Sequence, residues 1–155
     1  MDKKQGYKKF KIGSAFSDYA QQIEPFSDSK TDGDNALYKY TGNEYNEFQE
    51  HKIELIVLRF YKEKLVRILM TLDKPNEYLT YDRLLKNLED AFGKSLAYVG
   101  HSTVYDRYNS WEETEKIEMV LYKYRDDLIL DDLEGKLGVS MSQKNIDKII
   151  TLDDF

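Results

Sequence analysis

Hydrophobic positions are densest in residues 53–72, IELIVLRFYKEKLVRILMTL, where a polar tetrad at 61–64 separates two apolar runs. Isoleucine and valine on both flanks suit the pleated surface of a sheet better than a helix, and no capping residue opens the run at Ile53. The segment therefore predicts a hairpin of two strands joined by a short turn. Alternation along the strands places these residues on one face: Ile56, Leu58 and Phe60, then Val66, Ile68, Met70 and Leu72.

The opposite face of the predicted hairpin is also largely apolar, but it carries Arg59 and Arg67. Apolar residues on both faces are typical of strands at the centre of a sheet that is covered on at least part of both sides. The same residues also recur at helical spacing, with helix-forming residues in the middle of the run. A helix is therefore the alternative interpretation of this segment.

Two helices are predicted outside the hairpin. Ser14 can serve as an N-cap, residues 16–23 repeat apolar side chains at helical spacing, and Pro25 ends the pattern. Thr80 caps the stronger helix, and Gly93 is the residue expected just beyond its end. The apolar stripe of this second helix consists of Tyr81, Leu84, Leu85, Leu88, Ala91 and Phe92.

Alternating or strongly apolar segments predict further strands. These segments are residues 10–12, 36–41, 95–99, 115–124 and 128–133. Residues 100–111 are interpreted as an aromatic-rich loop. Residues 136–155 are interpreted as a C-terminal tail or a short helix capped by Ser142.

The order of these elements suggests two similar halves, residues 10–72 and 79–135, each running from a capped helix through a short strand to a hairpin of longer strands. Sequence identity between the halves is negligible, so chance similarity is the alternative to a repeated α-β-β-β pattern. The predicted fold is α+β in a single domain spanning residues 1–155. It has an antiparallel sheet of about five to seven strands with two or three helices on one face.

This layout is similar to that of two groups of small bacterial proteins. The segments KIGSAFSDY, FYKEKLVRI and LLKNLEDAFGK, with the strand region around Trp111, resemble the tandem helix-plus-strands units of β-lactamase inhibitor proteins and of envelope lipoproteins of the outer-membrane-assembly type. The resemblance covers most of the chain but carries no diagnostic motif. The inhibitor proteins owe part of their stability to disulfides, and this chain contains no cysteine.

The composition is that of an ordinary soluble protein. Apolar residues make up 41% of the 155 residues and charged residues 34%, and thirteen tyrosines and seven phenylalanines argue against disorder. The formal net charge of −6 disfavours binding to nucleic acid or anionic membranes.

No segment approaches the ~18–20 apolar residues of a membrane span. The N-terminus has no apolar signal core. We expect a cytoplasmic protein if the chain is the complete reading frame, and a periplasmic or lipid-anchored one if a signal segment was removed.

No residue pattern predicts catalysis or metal binding. His51 and His101 fall in separate predicted loops, and neither has a recognisable acidic partner in the sequence. The acidic loop around Gly33 lacks the third and twelfth ligands of a calcium-binding EF-hand. Residues 126–136 distantly resemble the acidic residues and lysine of metal-dependent nucleases, but a turn and a solvated strand end explain them better. We therefore expect no enzyme activity and no cofactor, with a nuclease as the least favoured alternative.

Aromatic residues concentrate in the C-terminal half of the chain. The candidate partner-binding residues are Tyr98, His101, Tyr105, Tyr108, Trp111, Tyr122 and Tyr124. Tyrosine and tryptophan suit recognition surfaces because they combine a large contact area, few rotatable bonds and a polar tip; packing in a satellite core is the alternative. Two binding surfaces are predicted: a sheet face on which Tyr122 and Tyr124 join Tyr38 and Tyr40 beside Arg59 and Arg67, or the loop at residues 100–111. The predicted function is a non-enzymatic protein-binding module, such as an inhibitor or immunity-type protein, with an envelope-associated structural or assembly protein as the alternative.

Overall fold

The computed structural model of the chain describes residues 6–26, 35–98, 105–112, 116–125 and 134–148. Its strands are β1 (Gly6–Tyr7), β2 (Phe10–Lys11), β3 (Ile23–Pro25), β4 (Asn35–Tyr40), β5 (Glu47–Phe48), β6 (His51–Tyr61), β7 (Lys64–Leu72), β8 (Leu96–Ala97), β9 (Tyr105–Glu112), β10 (Ile117–Tyr124) and β11 (Leu137–Gln143). The α-helix α1 spans Tyr81–Phe92, and 3-10 turns span Phe16–Asp18 and Ala20–Gln22.

Nine of the strands form one antiparallel sheet in the order β3-β4-β6-β7-β11-β10-β9-β8, with β5 paired to β6. Strands β1 and β2 form a separate small hairpin. The predicted antiparallel sheet is confirmed, but it has more strands than the five to seven expected. Within the described ranges, α1 is the one helix longer than a single turn, where two or three helices were expected.

The central hairpin is confirmed as β6 and β7, which excludes the helical interpretation of this segment. Lys62 and Glu63 form its two-residue turn, and their φ angles of 51° and 64° are those of a type I′ turn, whose twist matches that of the flanking strands. A register shift pairs Arg59 with Arg67 but Phe60 with Leu65. The shift takes Val66 out of the main core, where the simple alternation had placed it.

The helix α1 begins and ends as the sequence predicts. The Thr80 side chain accepts a hydrogen bond from the backbone N–H of Arg83 at 3.1 Å, and Gly93 follows the last turn with φ of 95°. Tyr81, Leu84 and Leu88 are buried against one face of the sheet. The helix therefore covers this face through the predicted stripe.

The predicted N-terminal helix is wrong. Residues 13–16 bond to the end of the central hairpin, with Gly13 N–H donating to Leu65 O at 2.7 Å and Phe16 N–H to Glu63 O at 2.8 Å. Ser14 O accepts from Leu65 N–H at 2.8 Å in the same way. These backbone groups are therefore satisfied by another element, and only short 3-10 turns follow before β3. The first of the two predicted α-β-β-β units thus contains no α-helix in its described part.

Two strands of the C-terminal half differ from the prediction. Residues expected to form an aromatic loop include β9, and β11 falls in the segment expected to be a tail or a helix. The returning strand predicted at 128–133 lies outside the described residues; β10 pairs instead with β11. Ser142, the expected helix cap, belongs to β11, and residues 146–148 are helical.

The N-terminal segment packs on the same face of the sheet as α1. The Phe10 ring meets Tyr40 edge to face with centroids 5.1 Å apart, and Phe16 lies 5.0 Å from Tyr38. Tyr38 and Tyr40 therefore belong to the main core and not to the surface on which they were expected beside Arg59 and Arg67.

Candidate functional site

The sheet face opposite α1 carries a trough whose floor is made of small side chains. In β11, Leu137, Val139 and Met141 enter the core, so Gly138, Ser140 and Ser142 point the other way. The register places Ser140 between Leu69 of β7 and Val120 of β10. It also places Gly138 between Thr71 and Tyr122. Larger side chains therefore rise on both sides of a low central strand.

One wall of the trough is a cluster of five tyrosines. Tyr98 stacks on Tyr108 with ring centroids 4.3 Å apart. Tyr105 lies 4.8 Å from Tyr122 and 5.5 Å from Tyr124. Tyr122 and Tyr124 meet edge to face at 5.1 Å, and their side chains are hydrogen-bonded to each other. The rings support one another, so the wall is largely pre-formed.

A register shift brings Tyr105 to this wall. Tyr105 and Tyr108 are three positions apart, so a regular strand would direct them to opposite faces of the sheet. The pairing between β9 and β10 shifts between Lys123, opposite Arg107, and Tyr124, opposite Tyr105. Such an irregularity re-aims a side chain, and here it gathers both tyrosines beside the same cleft.

Tyr122 depends on the absence of a side chain at Gly138. A Cβ atom at Gly138 would lie 2.4 Å from two ring carbons of Tyr122 and 2.6 Å from its hydroxyl oxygen. The ring rests directly over the glycine backbone and is 3% exposed. Because Gly138 has no side chain, the Tyr122 ring of the wall can pack directly against the backbone of β11.

The trough contains two adjoining clefts. The larger one, about 620 Å³, is lined by Arg67, Leu69, Tyr98, Tyr105, Tyr108, Val120, Tyr122, Tyr124, Ser140 and Asp147. The smaller one, about 400 Å³, lies over β4 and β6, and its lining includes the aliphatic side chains of Leu37, Leu55 and Val57. Arg67, Leu69 and Tyr124 line both clefts. The two clefts therefore form one continuous concave surface.

Two arginines and one carboxylate meet in the middle of this surface. Arg59 and Arg67 are direct cross-strand partners on β6 and β7. Arg59 Nη1 donates to Asp147 Oδ1 at 2.7 Å, and Arg67 Nη2 donates to Asp147 Oδ2 at 3.1 Å. The Nε of Arg59 also donates to Asn35 Oδ1 at 2.9 Å. One carboxylate thus bridges both guanidinium groups.

Asp147 belongs to the helical turn at 146–148, which follows β11, and its side chain lines the larger cleft. Ile146 is buried beside Val66, in a cluster joined by the partly buried Tyr61. The register shift in the central hairpin directs the Val66 side chain away from the main core, where it contacts Ile146. An apolar anchor and an ion pair therefore hold the turn on the sheet.

Burial and neighbouring charges shift several pKa values in the cleft. Burial raises the pKa of Tyr105, Tyr122 and Tyr124, and nearby Arg67 only partly opposes this for the first two. Burial also raises the pKa of the Asp147 carboxyl, but hydrogen bonds from both arginines and their charges outweigh it, so that pKa lies below its usual value. At neutral pH Tyr105, Tyr122 and Tyr124 are therefore uncharged and Asp147 is ionised.

The structure brings together five of the seven residues predicted from the sequence: Tyr98, Tyr105, Tyr108, Tyr122 and Tyr124. His101 lies outside the described residues. Trp111 lies on the core face, is 4% exposed, and donates from Nε1 to the carbonyl oxygen of Gly93 at 2.8 Å. It secures the end of α1 and is separated from the tyrosine wall by the sheet.

Sequence reasoning missed the small residues of β11 and the carboxylate of Asp147. The alternation of apolar residues with glycine and serine in residues 137–143 is the signal that could have revealed the floor of the trough. No local signal links Asp147 to arginines 80 and 88 positions earlier.

His51, for which the sequence indicates no acidic partner, lies beside the carboxylate of Asp73. His51 Nδ1 lies 3.4 Å from Asp73 Oδ1, and neither atom has a hydrogen-bond partner among the described residues. The His51 side chain is enclosed, with 1% of the residue exposed, so a substrate could not reach it. Across the described ranges, no three histidine or acidic side chains are grouped as metal ligands.

Comparison with known proteins yields no protein family, curated protein or solved structure that matches this chain. In the part of the chain that the structure describes, no helix is both long enough and apolar enough to cross a membrane. The function must therefore be argued from the cleft itself.

Proposed function

We propose that the protein is a non-enzymatic protein-binding module, of the inhibitor or immunity type, which takes its partner in the tyrosine-walled trough of the sheet. The observation that carries this proposal is the convergence of five tyrosines on one concave surface beside an arginine pair. Tyrosine and arginine are, with tryptophan, the side chains most enriched among the residues that dominate binding at protein interfaces. Binding of a protein partner also agrees with the resemblance to β-lactamase inhibitor proteins.

The packing of the wall supports binding without large rearrangement. Tyr122 is buried beneath its neighbours, while Tyr98 and Tyr108 form a stacked pair at the rim. Side chains that are already ordered lose little conformational entropy when a partner docks on them. The rim pair can therefore serve as an anchor that costs little free energy to immobilise.

The ends of the sheet are poorer candidates for docking. The terminal strands of the eight-strand path through the sheet are β3, which has three residues and ends at Pro25, and β8, which has two residues. Short strands and proline discourage the addition of a partner strand. The concave face is thus the better surface for recognition.

Photo-crosslinking tests this proposal. A photoreactive phenylalanine analogue at position 108 should capture a partner from the native host's lysate, whereas the same analogue at Tyr78 should not. Tyr78 is 72% exposed and does not line the trough, so it controls for nonspecific capture.

The captured protein must then bind the purified chain. Tyr108→Ala should weaken that binding by about 30-fold, the loss of about 2 kcal/mol typical of an interface hot spot. Tyr78→Ala should leave the affinity unchanged, and thermal melts should show both variants folded. Equal affinities for Tyr108→Ala and the unmodified chain would overturn the proposal.

A further inference from the structure

Arg59 and Arg67 stand in an arrangement that is unfavourable without an anion. Like charges directly opposite each other on neighbouring strands destabilise a sheet. These two lie opposite each other on the central strands β6 and β7, with side chains that are 15% and 30% exposed. A negatively charged group between them removes this penalty, and in this structure the group is the Asp147 carboxylate.

The geometry matches one carboxylate. Each guanidinium group binds a different oxygen of Asp147, at 2.7 and 3.1 Å. The planar arginine fork is well suited to such paired contacts with carboxylates. Two guanidinium groups against one carboxylate leave one net positive charge in this group of three. The excess positive charge attracts an approaching carboxylate to the two arginines, where it competes with Asp147.

The carboxylate already present is held in an exposed position. The Asp147 side chain is 69% exposed, so water and other anions reach it directly. Ion pairs between exposed groups contribute only ~0.2–1 kcal/mol, and here the carboxylate is the exposed member. An acidic side chain from outside can therefore compete with Asp147 for the two arginines.

We infer that Arg59 and Arg67 form a carboxylate subsite that binds an acidic side chain of the protein partner, and that the chain's own Asp147 occupies this subsite until the partner displaces it. This inference rests on the proposed function, because it names the chemistry by which the same trough recognises its partner. Arg67 and Asp147 line the larger cleft together with the tyrosines. An acidic residue bound at the arginines thus directs the neighbouring residues of the partner onto the tyrosine wall.

The test uses full-length protein and a peptide that copies the internal contact. The probe is acetyl-Asn-Ile-Asp-Lys-amide, with acetyl-Asn-Ile-Asn-Lys-amide as the uncharged control. Binding is followed through the ¹⁵N side-chain signals of Arg59 and Arg67 by NMR. Asp147→Asn removes the internal carboxylate while keeping the size of the side chain.

In the Asp147→Asn variant, the acidic peptide should shift both arginine signals and bind about fivefold tighter than to the unmodified chain, because it no longer competes with the internal ion pair. The uncharged peptide should shift neither signal. Glu50→Gln is the matched control, since it removes the exposed partner of Arg83, which lies 3.1 Å away. The acidic peptide should not shift Arg83 in that variant.

Equal shifts with both peptides, an equal effect on Arg83, or no shift of Arg59 and Arg67 would overturn the inference. Equal affinity for Asp147→Asn and the unmodified chain would show that Asp147 does not occupy the subsite. A different result would refute the proposed function. Peptide binding that persists while Tyr108→Ala leaves partner affinity unchanged would refute the tyrosine trough as the docking surface and leave the subsite intact.

Discussion

A single hydrogen atom in place of a side chain at Gly138 lets the tyrosine wall pack against the sheet. Gly138→Ala should destabilise the protein by about 1–3 kcal/mol, because its Cβ would lie 2.4 Å from the Tyr122 ring and overpack a buried cluster. Denaturant unfolding measures the change. Ser140→Ala, on the same face of the same strand, should change stability by less than about 0.5 kcal/mol.

A double-mutant cycle isolates the cause of that loss. In a Tyr122→Ala background the clash is absent, and Gly138→Ala should then be neutral or stabilising, since glycine weakens a strand interior. A loss in that background as large as in the unmodified chain would show that the destabilisation does not come from contact with the Tyr122 ring.

Trp111 stabilises the fold from the core side of the sheet. Trp111→Phe removes the Nε1–H donor that reaches the Gly93 carbonyl at 2.8 Å and leaves space beside α1. We expect a loss of about 1–3 kcal/mol in unfolding free energy. Partner affinity should stay unchanged, because the sheet separates Trp111 from the trough. Weaker partner binding by a variant that remains fully folded would instead return Trp111 to the binding surface.

The elements that the sequence predicts well are those whose bonds and contacts are local. The turn at Lys62 and Glu63 and the helix from Tyr81 to Phe92 carry their own signals: polar residues between alternating strands, an N-cap, a C-terminal glycine and an apolar stripe. The first predicted helix fails because Phe16 and its neighbours bond to the end of the central hairpin. Such long-range bonds leave no local pattern.

The same distinction explains what could be predicted of the site. Strand alternation alone places Arg59 and Arg67 on one face, and it places Tyr122 and Tyr124 together. It cannot bring Tyr105 beside Tyr108, because that requires a register shift between neighbouring strands. Strand β11 was missed because glycine and serine lower the apparent β-propensity of a strand whose other face is entirely core.

The tyrosines divide between the two faces of the sheet, and this division shapes the whole molecule. Tyr7 and Tyr19 of the N-terminal segment pack with Tyr40 of β4 in the main core. The second cluster forms the wall of the trough, where burial comes from other tyrosines and from the bare backbone of Gly138. The many tyrosines therefore contribute to the core on one face of the sheet and form a pre-formed cleft on the other face.

Burial of several phenol groups makes the stability of the whole molecule sensitive to alkali. Burial raises the pKa of Tyr81, Tyr105, Tyr122 and Tyr124 above the ordinary value of 10.0. Above that pH the unfolded chain loses these protons while the folded chain keeps them. The contribution of the buried phenols is thus complete below pH 10 and is lost as pH rises through the folded pKa values.

The unfolding free energy should therefore fall above pH 10 by about 1.4 kcal/mol per pH unit for each phenol that stays protonated only in the folded state. Denaturant titrations at a series of alkaline pH values measure this slope. Tyr105→Phe removes one such group and should reduce the slope by about one proton. An equal slope in Tyr105→Phe and the unmodified chain would mean that the Tyr105 phenol titrates alike in the folded and unfolded chains and does not lie in a desolvated wall.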